Sequence, residues 1–330
     1  MRHAAWHSET AKTERYEEEN MKKEFSKTFD LTVQRPQVLL IGNGIARSAS
    51  NNPSWAQLIE KMADTPKQVN DLPQGLPYSL RATVCAPTED KPRRERYRVA
   101  FEGYHYAENE NLKRLLDLPL DAVLTANYTY EAEFCLDPQY PNRKPDAKRN
   151  RAHCTAETAE TKYLLRTFNR INGRDIWHIH GELRNPSSMI LTHDEYARLV
   201  SRMVQYFEKR KDAYGRYQQE IYFKSWLDYL ILGDIYILGL GFDFSEFDLW
   251  WLLNRRLRER TETGNVIFYG LLGTDGKPTA TQKALQSMGV TVKTFDCCTP
   301  EENDPEKDEK FRQFYTLAVD DIEKKLNKNR

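Results

Sequence analysis

Six short apolar runs punctuate the chain, and most close on glycine or a small polar residue. They are VLLIG at 38–42, AVLTAN at 122–127, DIWHIHG at 175–181, YILGLG at 236–241, VIFYG at 266–270 and VTVKTF at 290–295. Apolar runs this short suit strands buried on both faces. Between them lie stretches with helical spacing. In NNPSWAQLIEKM (51–62), Asn52 reads as an N-cap, Pro53 as the first helical residue, and Trp55, Leu58, Ile59 and Met62 as one apolar face. In THDEYARLVSRMVQYFEKR (192–210), Thr192 and Glu195 have capping-box spacing, and Tyr196, Leu199, Val200, Met203 and Phe207 form a stripe. Further helices are expected in SEFDLWWLLNRRLRER (245–260), at about 278–288, and after the acidic linker TPEENDPEKDE. SSMILT (187–192) reads as another strand. Strands alternating with helices imply a parallel α/β sheet.

The remaining segments bound this domain. Residues 1–35 are polar and charge-mixed, and read as a tail or solvated helix. Residues 36–298 make the main domain, and 299–330 an acidic linker with a terminal helix. Residues 64–109 are rich in Pro, Gly and charge, without clear periodicity, and 137–151 form a basic, proline-containing loop. Lys+Arg and Asp+Glu are 49 each, so no whole-protein field draws nucleic acid or an anionic membrane. No run approaches the roughly 20 apolar residues that span a bilayer. The N-terminus has no apolar signal core. The five cysteines are irregularly spaced and suggest neither a disulfide framework nor a paired zinc motif, so a reducing cytoplasm is expected.

Chemistry concentrates at the ends of the runs. In GNGI, Gly42 and Gly44 follow a strand, where a bare backbone lets a pyrophosphate approach exposed N–H groups. The pattern stops short of G-x-G-x-x-G because Arg47 holds the last position. Gly239 and Gly241 repeat the arrangement, and Ser245 stands ready to cap the next helix or to offer a hydroxyl to ribose or phosphate. Asn127 ends the second run, either terminating the strand or presenting an amide. His180 has three readings: a core hydrogen bond, a metal site shared with His178 on the same strand face, or a catalytic base. No acid or cysteine at an obvious spacing completes a metal site.

Taken in order, LLIGNGI with PSWAQLI, LTANY, IHGEL with SMILTHDEY, and LGLGFDFSEFDLWWLL resemble the sirtuin-like NAD+-hydrolase domain of bacterial anti-phage defence proteins. The resemblance spans roughly residues 36–296. It implies a Rossmann-like parallel sheet with helical insertions, and NAD+ as substrate with no metal. Carried over by position, Gly42, Asn43, Gly44 and Ile45 would form the phosphate loop. Asn127 and His180 would be catalytic, Asn127 positioning water or ribose and His180 taking the proton. Gly181 would leave room for the sugar, and Gly239, Gly241 and Ser245 would contact the nucleotide. Three departures stand out: Thr129 where the family usually has Asp, Ala46 where relatives often carry a polar side chain, and the absence of the four-cysteine zinc module of protein deacylases.

The expected activity is therefore hydrolysis of NAD+ to nicotinamide and ADP-ribose, serving defence by NAD+ depletion. The alternatives are an NAD-dependent protein deacylase and a non-catalytic nucleotide- or nucleic-acid-binding subunit, the last resting on the basic stretches KPRRERYR and NRKPDAKRNR. The resemblance also implies restraint by a homo-oligomer or by a separately encoded sensor or ATPase partner. Contact with nucleic acid would be indirect only, and none with a membrane is expected.

Overall fold

The computed structural model describes residues 27–328, except 51, 66–68, 70, 74, 88, 143–162, 211–216, 218–219 and 302. The first half of the chain forms β1 (Thr28–Asp30), β2 (Gln37–Ile41), α1 (Asn43–Arg47), α2 (Trp55–Met62), α3 (Tyr78–Cys85), α4 (Asp90–Ala100), α5 (Glu110–Asp117), β3 (Ala122–Thr125) and α6 (Glu131–Leu136). There follow β4 (Asn169–Ile171), β5 (Arg174–His178), α7 (His193–Glu208), β6 (Glu220–Tyr222), α8 (Trp226–Leu232) and β7 (Asp234–Leu238). Last come α9 (Phe247–Arg258), β8 (Val266–Tyr269), α10 (Ala280–Ser287), β9 (Thr291–Lys293) and α11 (Lys307–Lys328).

Seven strands make one sheet in the order β4-β5-β3-β2-β7-β8-β9, and β1 pairs with β6 in a separate ribbon. Within the large sheet β4–β5 is antiparallel and the other pairings are parallel, giving a Rossmann-like α/β architecture. From β2 the chain builds outward to β3 and β5, then returns to the other flank of β2 with β7. The order therefore reverses between β2 and β7, and crevices open at the carboxyl ends of strands at such a switch point.

Alternate residues of the central strands feed two cores, as a pleated sheet with both faces covered requires. Val38, Leu40, Ile235 and Ile237 pack with Met203, Trp226, Leu230 and Leu249 of α7, α8 and α9. Leu39, Ile41, Tyr236 and Leu238 pack on the opposite face with Leu112 and Leu115 of α5 and with Phe314, Ala318 and Ile322 of α11. The terminal helix is thus a wall of the main core. A third cluster joins α2, α3 and α4 through Leu58, Met62, Ala82 and Tyr97, and takes in Met189 and Leu191.

Several local expectations change. The polar segment placed at 1–35 gives way earlier, because Thr28–Asp30 pairs with β6 and Phe29 packs on Phe223 at 4.8 Å. Residues 1–26 lie outside the described residues, as does most of the basic loop at 137–151. The cap of α2 is Ser54, which forms a capping box with Gln57; Asn52 is buried elsewhere. The stretch at 64–109 carries α3 and α4, whose weak apolar stripes hid them. SSMILT is not a strand: a 3-10 turn covers Pro186–Ser188, and Ile190 is held by the His180 carbonyl and the Tyr128 hydroxyl instead of a ladder. Ser245 precedes the cap of α9, which falls at Glu246.

Arg256 ties the scaffold together. Its buried guanidinium donates to Leu230 O, to Ile231 O at 2.7 Å, to Gly233 O at 3.0 Å and to Gly264 O at 2.7 Å. It closes the carboxyl end of α8 and fastens the turn before β8. Arg256→Ala leaves several buried carbonyls without donors, each costing about 1–3 kcal/mol. A loss of at least ~3 kcal/mol in urea-induced unfolding is expected, and a loss under ~1 kcal/mol would refute this bracing role.

Candidate active site at the switch point

The turns after β2 and β7 lie against each other, backbone to backbone. Gly42 N–H donates to Leu238 O at 3.0 Å, and Gly44 N–H donates to Gly239 O at 2.7 Å. A Cβ on Gly44 would stand 2.8 Å from that carbonyl oxygen and 2.6 Å from the Tyr315 hydroxyl. Beside these turns a cleft of about 660 Å³ opens over the carboxyl ends of the strands. Its size suits a small-molecule ligand. Its walls include Asn43, Gly44, Asn127, Gly239 and Gly241, with Asn52, Trp55 and Tyr78 from the insertion side and Phe314 and Tyr315 from α11.

Of the residues singled out from sequence, Gly42, Ile45, His180, Gly181 and Ser245 are not among those lining the cleft. Gly42 is a backbone spacer between the two turns, and Ile45 is core. Ser245 is fully buried, and its hydroxyl accepts the Ser79 N–H at 2.9 Å, which bolts the start of α3 to the β7–α9 loop. Gly181 has φ +88°, and a Cβ there would stand 2.2 Å from the Ser188 carbonyl oxygen. Close chain packing, not space for a sugar, is what demands glycine at 181.

Asn127 and His180 leave the sheet side by side. Parallel register pairs Thr125 with His178, and each candidate lies two residues further on. Asn127 N–H is held by Thr125 Oγ1 at 3.1 Å. Its side-chain nitrogen is buried and has no hydrogen-bond partner among the described residues, an expensive arrangement for a wall residue of a cleft. His180 is 1% exposed, and its Nε2 donates to Asp248 Oδ2 at 2.9 Å. Burial alone would lower its pKa, but the Asp248 and Glu246 charges prevail and raise it. Glu246 lines the cleft. Its carboxyl is raised to about 7, chiefly by burial, with His180 opposing and Asp248 and Asp243 adding to the rise.

The opening at Thr129 is filled from two residues away. Glu131 Oε1 accepts from Thr129 Oγ1, from the Tyr104 hydroxyl and from Asn52 Nδ2 at 2.8 Å. Burial raises this carboxyl, while the Thr129 and Tyr104 hydrogen bonds pull against it. Asn52, read from sequence as a helix cap, thus belongs to the cleft wall.

Charge is divided along the cleft. Arg47 is the cationic side chain among its described lining residues and lies near Tyr315, whereas Glu246 lies near His180. Asp248, Glu246 and Glu131 escaped the sequence reading. The first two sit at the start of α9 with no local pattern linking them to His180, and Glu131 lies two residues past Thr129. Among the described residues, no group of three or more His, Cys, Asp or Glu side chains is placed to hold a metal ion, and no helix is long and apolar enough to cross a membrane.

A Rossmann-like sheet with a cleft at its switch point defines a nucleotide-binding class of protein. Residues 121–293, more than half of the chain, match the family model of the SIR2-like domain, and the protein belongs to that family. SIR2-like domains use NAD+, and the family's members are NAD-dependent enzymes. No curated protein matches the chain. The matched stretch begins just before β3, so β2 and its glycine turn lie outside it, although β2 is the central strand.

Gly181→Ala tests the packing role of that glycine. The combined clash and positive φ predict a loss of about 2 kcal/mol or more in chemical denaturation. Unchanged stability would show that the 181–188 contact relaxes freely.

Proposed function

We propose that the protein hydrolyses NAD+ at the bond joining nicotinamide to ribose, releasing nicotinamide and ADP-ribose. The observation that carries this reading is the Asn127 amide nitrogen, buried in the wall of the switch-point cleft without a hydrogen-bond partner among the described residues, one strand away from the buried His180–Asp248 pair. NAD+ supplies charges of both signs, and the cleft answers both. Arg47 suits the anionic pyrophosphate. Glu246, its carboxyl raised to about 7, is drawn toward its ionised form by the cationic nicotinamide ribosyl end and then suits the oxocarbenium-like transition state that develops there.

The C1′–N bond breaks with its electron pair going to the ring nitrogen, so nicotinamide leaves neutral and needs no acid. Asn127 holds the water or a ribose hydroxyl beside the anomeric carbon. Water oxygen bonds to that carbon, and its proton passes to His180, which stands buried behind the residues that line the cleft. With Nε2 donating to Asp248, the accepting atom is Nδ1. Unchecked turnover of this kind drains NAD+ from a cell, which fits anti-phage defence with restraint by self-association or by a separately encoded partner.

Purified protein incubated with NAD+ should release nicotinamide without an acylated peptide. Release only in the presence of peptide would turn the reading toward deacylation, and no release under any oligomeric condition would sink it. Asn127→Ala and His180→Ala should each lower turnover at least ~100-fold. Asn127→Ala should leave the melting temperature unchanged, whereas His180→Ala strands the buried Asp248 carboxylate and should lower it. The base must be neutral to accept a proton, so kcat/KM should rise with pH as His180 deprotonates, with a midpoint above the ordinary imidazole value of about 6.5. Asp248→Asn removes the charge that holds that proton, and the rise should move to lower pH. A limb that stays in place would disconnect Asp248 from the base.

A further inference from the structure

His178, two residues before the proposed base His180, has both ring nitrogens occupied. Nδ1 lies 2.8 Å from the Asn127 carbonyl oxygen, and Nε2 lies 2.8 Å from Glu133 Oε1. A carbonyl and a carboxylate only accept, so the ring donates from both nitrogens and is an imidazolium. The pair is sealed from solvent, with His178 3% exposed and Glu133 0%. Asn169 Nδ2 donates to the same Glu133 oxygen at 2.8 Å and reaches Glu182 Oε2 at 3.3 Å. Tyr130 presents its ring to the imidazole at 5.3 Å, and Arg184 lies over the other reach of that tyrosine at 4.8 Å. Facing His178 are therefore Asn127 and Tyr130 after β3, Glu133 on α6 and Glu182 beyond β5, with Asn169 of β4 bonded to the two carboxylates and Arg184 over the Tyr130 ring.

A buried ion pair is a poor source of stability, because well-packed apolar residues usually do as well or better. What this pair does uniquely is grip one backbone atom. Asn127 N–H is already held by Thr125 Oγ1, and His178 takes its carbonyl, so both ends of that peptide position are clamped. We propose that His178 and Glu133 are a positioning pair that fixes the Asn127 backbone and so sets where its amide stands in the cleft. The inference rests on the NAD+-cleaving role of Asn127. It assigns His178 no contact with substrate.

The charge state follows from the same geometry. Burial lowers the His178 pKa, but Glu133, through its charge and hydrogen bond, together with Glu182 and the Asn127 carbonyl, raises it to about 9. The stabilisation of the imidazolium is complete below the unfolded value of about 6.5 and is lost as pH rises through about 9. Above that pH the remaining ring proton stays on Nε2 against the Glu133 carboxylate, Nδ1 turns a lone pair toward the Asn127 carbonyl, and the clamp loosens.

Three proteins test this: wild type, Glu133→Gln, and the double variant His178→Leu with Glu133→Leu. The double variant removes both charges together, which avoids leaving a buried ion unpaired, but it deprives the Asn127 carbonyl of its donor. Its kcat should fall about 100-fold with KM for NAD+ unchanged. In Glu133→Gln a neutral ring keeps its Nδ1 proton on Asn127 while Nε2 accepts from the new amide. That variant should retain wild-type kcat at pH 7.5 and lose the alkaline decline near pH 9 that wild type shows. Imidazole ¹⁵N spectra of wild type should show both His178 nitrogens protonated at pH 7. A neutral His178 in those spectra, wild-type kcat in a folded double variant, or an alkaline decline that survives Glu133→Gln each overturns the proposal. The spectra and the single variant decide the matter if the double variant does not fold. Wild type that releases no nicotinamide is a separate result, and removes the reading on which the inference stands.

Discussion

Two hydrogen bonds between glycine turns, Gly42 N–H to Leu238 O and Gly44 N–H to Gly239 O, determine where this protein can hold a ligand. They extend the β2–β7 pairing past the last residues of the strands and press two loops together at the reversal of strand order. Side chains larger than hydrogen would part those loops. The cleft is what remains beside the contact, roofed by insertion helices on one flank and by α11 on the other. The glycines expected to make room for phosphate therefore first make room for each other.

Around that cleft, buried charge is arranged in separate parcels. His180 with Asp248, His178 with Glu133, and Glu131 with its three donors gather at the carboxyl ends of β3 and β5. Such groups carry desolvation costs that a core designed only for stability would avoid. Their concentration at one end of one sheet, where the strands deliver Asn127, is a physical argument for chemistry there that does not depend on any single residue.

Strand and helix order were legible because apolar runs and helical stripes are local signals. β2, β3, β5, β7, β8 and β9 and helices α2, α7, α9, α10 and α11 follow from them. What escaped was decided by tertiary contact. Ser54 caps α2 because Asn52 is drawn away to Glu131. Residues 189–191 look like a strand yet pair with no ladder, since the His180 carbonyl and Tyr128 take their polar groups. At the site, Asn127 could be picked out as a strand-end amide. Asp248 and Glu133 could not, because the sequence separations of 68 and 45 residues to their histidines are closed only by the folded sheet. Ser245 illustrates the converse: a hydroxyl in a suggestive loop, spent on the backbone of Ser79.

The carboxylate of Glu131 meets Thr129, the residue that stands where the sequence resemblance leads one to expect an acid. A two-residue displacement keeps an acidic oxygen beside the same strand end, but supplies it from the first turn of α6. Searches for distant kin that demand an aspartate at the earlier column would pass over chains built this way, and alignments forced through that column would shift the following helix by about half a turn.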